Sequence, residues 1–134
     1  MKRYDANKTP EPAEWLNLDE LKQIALVTDY HVRLREKTPN LQIHAVIHVT
    51  VENQLAEEIR TVREALERLM AEGVDRHEAI HAIGSVLIVH LSKLIRREHT
   101  AQNPHEEYFK DLQSLTKRSW IESTSEPLDE PQDP

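Results

Sequence analysis

The sequence predicts an all-α protein: a four-helix bundle-like domain over residues 1–120, opened by a short N-terminal helical turn and followed by a disordered acidic tail over 121–134. Three observations predict it. Two glycines and one Phe in 134 residues leave too little turn and aromatic content for a β-sandwich. Strong helix formers supply most of the rest. Apolar residues recur at three- and four-residue steps between recognisable helix caps.

Taken in order, Pro10 and Pro12 punctuate an irregular lead-in, and "PAEWL" makes a short helical turn anchored by Trp15. From Leu18 the stripe Leu21, Ile24, Ala25, Thr28 and Val32 gives the first long helix, ending near Lys37 because Pro39 disfavours helix in the residue before it. The second and longest is read as continuous from Leu41 to Glu72, along Val51, Leu55, Ile59, Val62, Leu66 and Leu69, with Gly73 closing its C-terminus. Asp75 caps the third, with Glu78 as the other half of a capping box, and the pattern runs to about Glu98. Asn103-Pro104 opens the fourth, to about Arg118. Past Ile121 the Pro-rich acidic composition buries too little to order itself. The third helix has almost no polar face, which leads to the expectation of a homodimer covering part of it.

Charge and composition narrow the function. Formal net charge is −7, and five acids without a base (Glu122, Glu126, Asp129, Glu130, Asp133) occupy the last fourteen residues, leaving the body at −2. No nucleic-acid footprint is present, since Lys93, Arg96 and Arg97 sit where a helix C-terminus attracts cations. The N-terminal stretch lacks the apolar run of a signal or anchor, and Ile80–Ile95, interrupted by His81 and His90, reads as a core helix too short for a bilayer. The expected setting is the cytoplasm, without membrane contact. With no cysteine, any metal must be held by imidazole and carboxylate.

The histidines carry the functional signal. "IHAVIHVTVE" places His44, His48 and Glu52 at four-residue steps, within about 80° of one another on an α-helix. "RHEAIHAIG" places His77 and His81 about 40° apart, with small Gly84 and Ser85 one turn on. Two imidazoles four apart can bind one ion at about 2.0–2.1 Å, and two such pairs on facing helices complete a nitrogen shell. His44, His48, His77 and His81 are therefore the expected ligands of a first-row divalent metal, zinc before iron. Glu52 is a further ligand, an acceptor for a ligand's N–H, or a solvated charge. His31, on the rim of the first helix's stripe, is a fifth ligand or an interface residue; His90, His99 and His105 read as surface or capping residues.

The segment "HEAIH" resembles the zincin metallopeptidase motif, which implies His77 and His81 as ligands and Glu78 as the base acting on metal-bound water. The known third ligand downstream has no counterpart at His90 or His99. More of the chain, about 40 to 90, is similar to the DUF1841 family of small bacterial domains: "NLQIHAVIHVTVENQLAE" and then "DRHEAIHAIGSVL". That resemblance implies paired histidines on two helices and no particular reaction. Two readings follow. One is a metal-dependent hydrolase of unknown substrate; the other is a non-catalytic helical protein whose histidine or metal cluster is structural, sensing or oligomer-forming.

Overall fold

The computed structural model describes residues 1–35, 38–97 and 104–125, and the described residues are helical with no strand. Seven helices follow in order: α1 (Pro12–Leu16), α2 (Glu20–Arg33), α3 (Leu41–Ala56), α4 (Arg60–Ala71), α5 (Arg76–Ile95), α6 (Pro104–Gln113) and α7 (Lys117–Ser125). The bundle of α2 to α6 is the predicted one. Its starts are where the caps place them: Asp19 accepts from Lys22 N at 2.8 Å, Asn40 from Ile43 N at 3.3 Å and Asp75 from Glu78 N at 2.8 Å. The Asn103 cap and the expected helix end at Glu98 lie outside the described residues.

The long second helix is in fact two. Glu57 N bonds Asn53 O, Glu58 N bonds Leu55 O and Ile59 N reaches back to Gln54 O, so α3 closes in a Schellman-type turn. The residue at the left-handed position is Glu58, with φ 58°, where glycine is usual. Because the turn carries a glutamate, no Gly or Pro marks it, and the apolar stripe runs on through Ile59 into the same core. A left-handed non-glycine costs about 1–2 kcal/mol, partly offset by the greater chain freedom glycine loses on folding. Glu58→Gly is therefore expected to stabilise the protein by about 0.5 kcal/mol, read as a higher urea midpoint at unchanged slope.

The fourth helix is also two. Arg68 Nη1 takes the carbonyls of Leu112 and Leu115 at 3.2 and 2.8 Å, closing α6. Thr116 then caps α7 reciprocally with Ser119: Ser119 N donates to Thr116 Oγ1 and Thr116 N to Ser119 Oγ. Helix α7 runs past Ile121 to Ser125, further than composition predicts, and the rest of the expected tail, 126–134, lies outside the described residues.

The buried face of α2 differs from the expected one. Leu21 is 79% exposed and Val32 59%, whereas Gln23, Leu26, Val27, Tyr30 and His31 face inward. Gln23 Nε2 donates to Trp15 O and to Asn53 Oδ1, and Trp15 Nε1 donates to the same Asn53 oxygen, so satisfied polar groups fix this face. The rotation carries His31 from the rim to full burial.

Helix α3 lies between two apolar cores. Val51 joins the core built with α4, α5 and α6, while Ala45 and Val49 join the one built with Tyr4, Trp15 and α2. Only a narrow stripe through Ile43, Val46 and Thr50 reaches solvent, and the histidines of α3 sit at the seam between the cores. Helix α5 is the other central element. At 20 residues it is long and apolar enough to cross a bilayer, contrary to the expectation of too short a stretch, yet here it packs against α3, α4 and α6. Its N-terminal half is buried, whereas Ile88, Val89, Leu91 and Ile95 remain exposed. His90 is not a surface residue: it is buried, its ring stacked on Tyr108 at 5.3 Å.

Candidate metal centre

Where α2, α3 and α5 meet, His31, His44, His48 and His81 bring one ring nitrogen each to within 4.8 Å of all the others. The fold thus holds a buried histidine cluster able to coordinate a divalent metal ion. His44 Nε2 stands 3.0 Å from His31 Nε2 and 3.1 Å from His81 Nε2. With metal–nitrogen bonds of 2.0–2.1 Å, adjacent donors are about 3.3 Å apart in a tetrahedron and about 2.9 Å in an octahedron. The observed spacing falls between these values.

The hydrogen-bond partners decide which nitrogens present lone pairs. His31 Nδ1 lies 2.9 Å from Val27 O, which only accepts, so Nδ1 carries the hydrogen and Nε2 keeps its lone pair toward the cluster. For His48 the order is reversed. The Tyr4 hydroxyl gives its one hydrogen to Glu52 Oε2, so the 2.7 Å contact with His48 is a bond donated by His48 Nε2. That leaves His48 Nδ1 with the lone pair, and among the described residues this buried atom has no hydrogen-bond partner. A lone pair in such a place is costly unless something accepts it. Meanwhile His44 Nε2 faces two imidazole nitrogens, and one hydrogen on it cannot lie in line with both. A cation at the meeting point engages all the lone pairs together.

Electrostatics hold two of these histidines in the neutral form that can bind metal. Burial, and then the neighbouring His31, His81, His77 and His44, hold His48 well below the ordinary imidazole value. Burial followed by His77, His44 and His31 pushes His81 down to about 3. Both are neutral at pH 7. In the unfolded chain they titrate near 6.5, so below that pH the unfolded state binds protons the metal-free fold refuses. Their contribution to stability is complete above pH 6.5 and is lost as pH falls toward 3. With chelator present, the urea midpoint is expected to drop between pH 7.5 and 5; a flat profile would contradict the burial of neutral imidazoles.

The other expected site residues are placed differently. His77 lies beside the four-nitrogen set rather than in it, its ring 4.3 Å from that of His81 and its backbone N–H held by Asn7 Oδ1 at 3.0 Å. Glu52 is not a solvated charge: it is 1% exposed, and both its oxygens accept from Arg76, at 2.7 and 2.8 Å. Through Tyr4 it becomes the outer end of a relay that orients His48. Burial works against the Arg76 charge, but the Glu52 hydrogen bonds and charge outweigh it and raise its pKa; burial and Glu52 together also raise that of Tyr4. Glu78 is half-exposed. Its Oε2 accepts from Trp120 Nε1 at 2.8 Å and its Oε1 stands 3.7 Å from His81 Nδ1, so this side chain engages α7 and His81.

Compared with family models, curated proteins and solved structures, the chain matches none. The functional reading therefore rests on the centre itself. A cavity of about 260 Å³ borders it, walled on one side by His44, His48 and His81. Sequence reasoning gave His31 only an optional part and missed Tyr4 and Arg76. Polar residues on the inward face of α2 were the available signal for His31; for Tyr4 it was an aromatic in an otherwise polar lead-in.

Proposed function

We infer that this is a metal-binding helical protein in which His31, His44, His48 and His81 hold one first-row divalent cation that ties α2, α3 and α5 together, in a binding role rather than as a hydrolase. The observation that carries this reading is the convergence of four imidazole nitrogens, with His48 Nδ1 buried and otherwise unbonded. Four nitrogen donors without thiolate form a shell that suits zinc, which we take as the first candidate, with iron, nickel or copper, also imidazole-bound metals, next. Of the His-Glu-x-x-His stretch only His81 belongs to the set, and Glu78 is bonded to Trp120, which weighs against zincin chemistry.

Elemental analysis of protein purified without an affinity tag is expected to find close to one equivalent of first-row metal. Alanine at His48 or His81 should release it. Alanine at His77 or Glu78 should leave most of it bound. Full occupancy in both the His48 and His81 variants would place the metal elsewhere, and hydrolytic activity lost specifically in Glu78→Gln would restore the hydrolase reading.

A further inference from the structure

The cavity beside the histidines has two unlike kinds of lining. His44, His48, His81 and Ser85 are polar, while Ile47, Ile80, Gly84 and Trp120 are apolar, as is half-exposed Ile88. At Gly84 a Cβ would stand 3.0 Å from Ile47 Cγ2, so the absent side chain lets α5 pack closely against Ile47 where the two helices wall the cavity. Imidazoles able to ligate a metal beside hydrocarbon in one cavity suit a ligand with a coordinating head and an apolar body.

Charge specifies the head. Four neutral imidazoles leave both positive charges of a bound divalent ion uncompensated at a buried point. The nearby carboxylates do not cancel them: Glu52 is matched by Arg76, and Glu78 is half-exposed with one oxygen bonded by Trp120. An anion entering from the cavity supplies the missing charge as a fifth ligand, a coordination number zinc accepts. Size specifies the body. A cavity of about 150 Å³ holds benzene and drug-sized ligands need roughly 300–1,000 Å³, so about 260 Å³ suits an aliphatic chain of about six to eight carbons.

We propose that the cavity lined by His44, His48, His81, Ile47, Ile80 and Trp120 is a binding site for a medium-chain aliphatic carboxylate, whose head ligates the metal and whose tail lies along the isoleucines. This rests on the metal reading above. Each buried methylene contributes about fourfold in affinity, so hexanoate, with four more of them, should bind roughly 250-fold more tightly than acetate.

The test uses the full-length protein loaded with Co²⁺, whose visible absorption reports its coordination, titrated with hexanoate and with acetate. Expected is a saturable spectral change with hexanoate at far lower concentration than with acetate. Ile88→Trp, at a half-exposed position apart from the ligands, should weaken hexanoate at least tenfold while cobalt uptake stays intact. A cobalt spectrum that hexanoate leaves unchanged, equal affinities for the two acids, or an Ile88→Trp variant that binds hexanoate normally would each overturn the carboxylate site and leave the metal centre standing. Failure to take up cobalt at all would overturn both.

Discussion

Replacing Arg76 with Met is expected to lower the stability of the protein by about 3–5 kcal/mol, a large share of the roughly 5–15 kcal/mol available to a single domain. Arg76 and Glu52 are 3% and 1% exposed, and removing the cation leaves a buried carboxylate with the Tyr4 hydroxyl as its remaining hydrogen bond from the ion-pair network. The loss extends to the N-terminal segment, because Arg76 Nη1 also holds Ala6 O at 3.0 Å. Arg76→Met combined with Glu52→Leu should recover most of the deficit, since the cost comes from the unpaired charge more than from the lost pair. Urea unfolding of the single and double variants reads the difference. Cleavage by trypsin at Lys2, Arg3 or Lys8 should accelerate in the single variant as the segment undocks. A deficit below 1 kcal/mol in Arg76→Met would mean that the Glu52 carboxylate has another route to compensation.

This network also marks how far the sequence could be read. Helix starts were legible at Asp19, Asn40 and Asp75 because a cap is a local interaction between residues two or three apart. The break at Glu57–Ile59 was not, since its left-handed residue is a glutamate and the stripe continues across it. The Thr116–Ser119 cap was written in the sequence in a weak form, serine standing where Glu or Gln is the usual signal. Periodicity also chose the wrong face of α2, because it counts apolar residues, while Gln23 and His31 are buried through hydrogen bonds that periodicity cannot register. At the site, His44, His48 and His81 followed from spacing along single helices. Whether His31 or His77 joins them depends on how three helices are rotated and offset, and spacing within one helix carries none of that information. Glu52 shows the same limit: its register was right, but its partner Arg76 opens α5, with all of α4 between them in the chain.

Chelating the metal is expected to lower the melting temperature by about 10 °C relative to protein with free zinc at a hundred times its dissociation constant. That excess stabilises the folded state by about 2.7 kcal/mol, and a chain of this size shifts by a few degrees per kcal/mol. The increment, rather than the absolute temperature, is the informative quantity, because variants of buried histidines also lose packing that has nothing to do with metal. His31→Ala and His48→Ala should each erase it, as His31 is the imidazole α2 brings to the cluster and His48 has a buried, unbonded Nδ1. His77→Ala should keep most of it. Tyr4→Phe makes the finer distinction: it removes the acceptor for His48 Nε2–H and the link to Glu52 without touching a ligand. Losing such an outer partner weakens metal binding about 10–100-fold, which at the same zinc concentration cuts the increment to about 1.4 or 0.4 kcal/mol. An increment that survives in His31→Ala but vanishes in His77→Ala would move the metal to the His77–His81 pair. One that is absent from the unaltered protein would show that the converging imidazoles hold no ion.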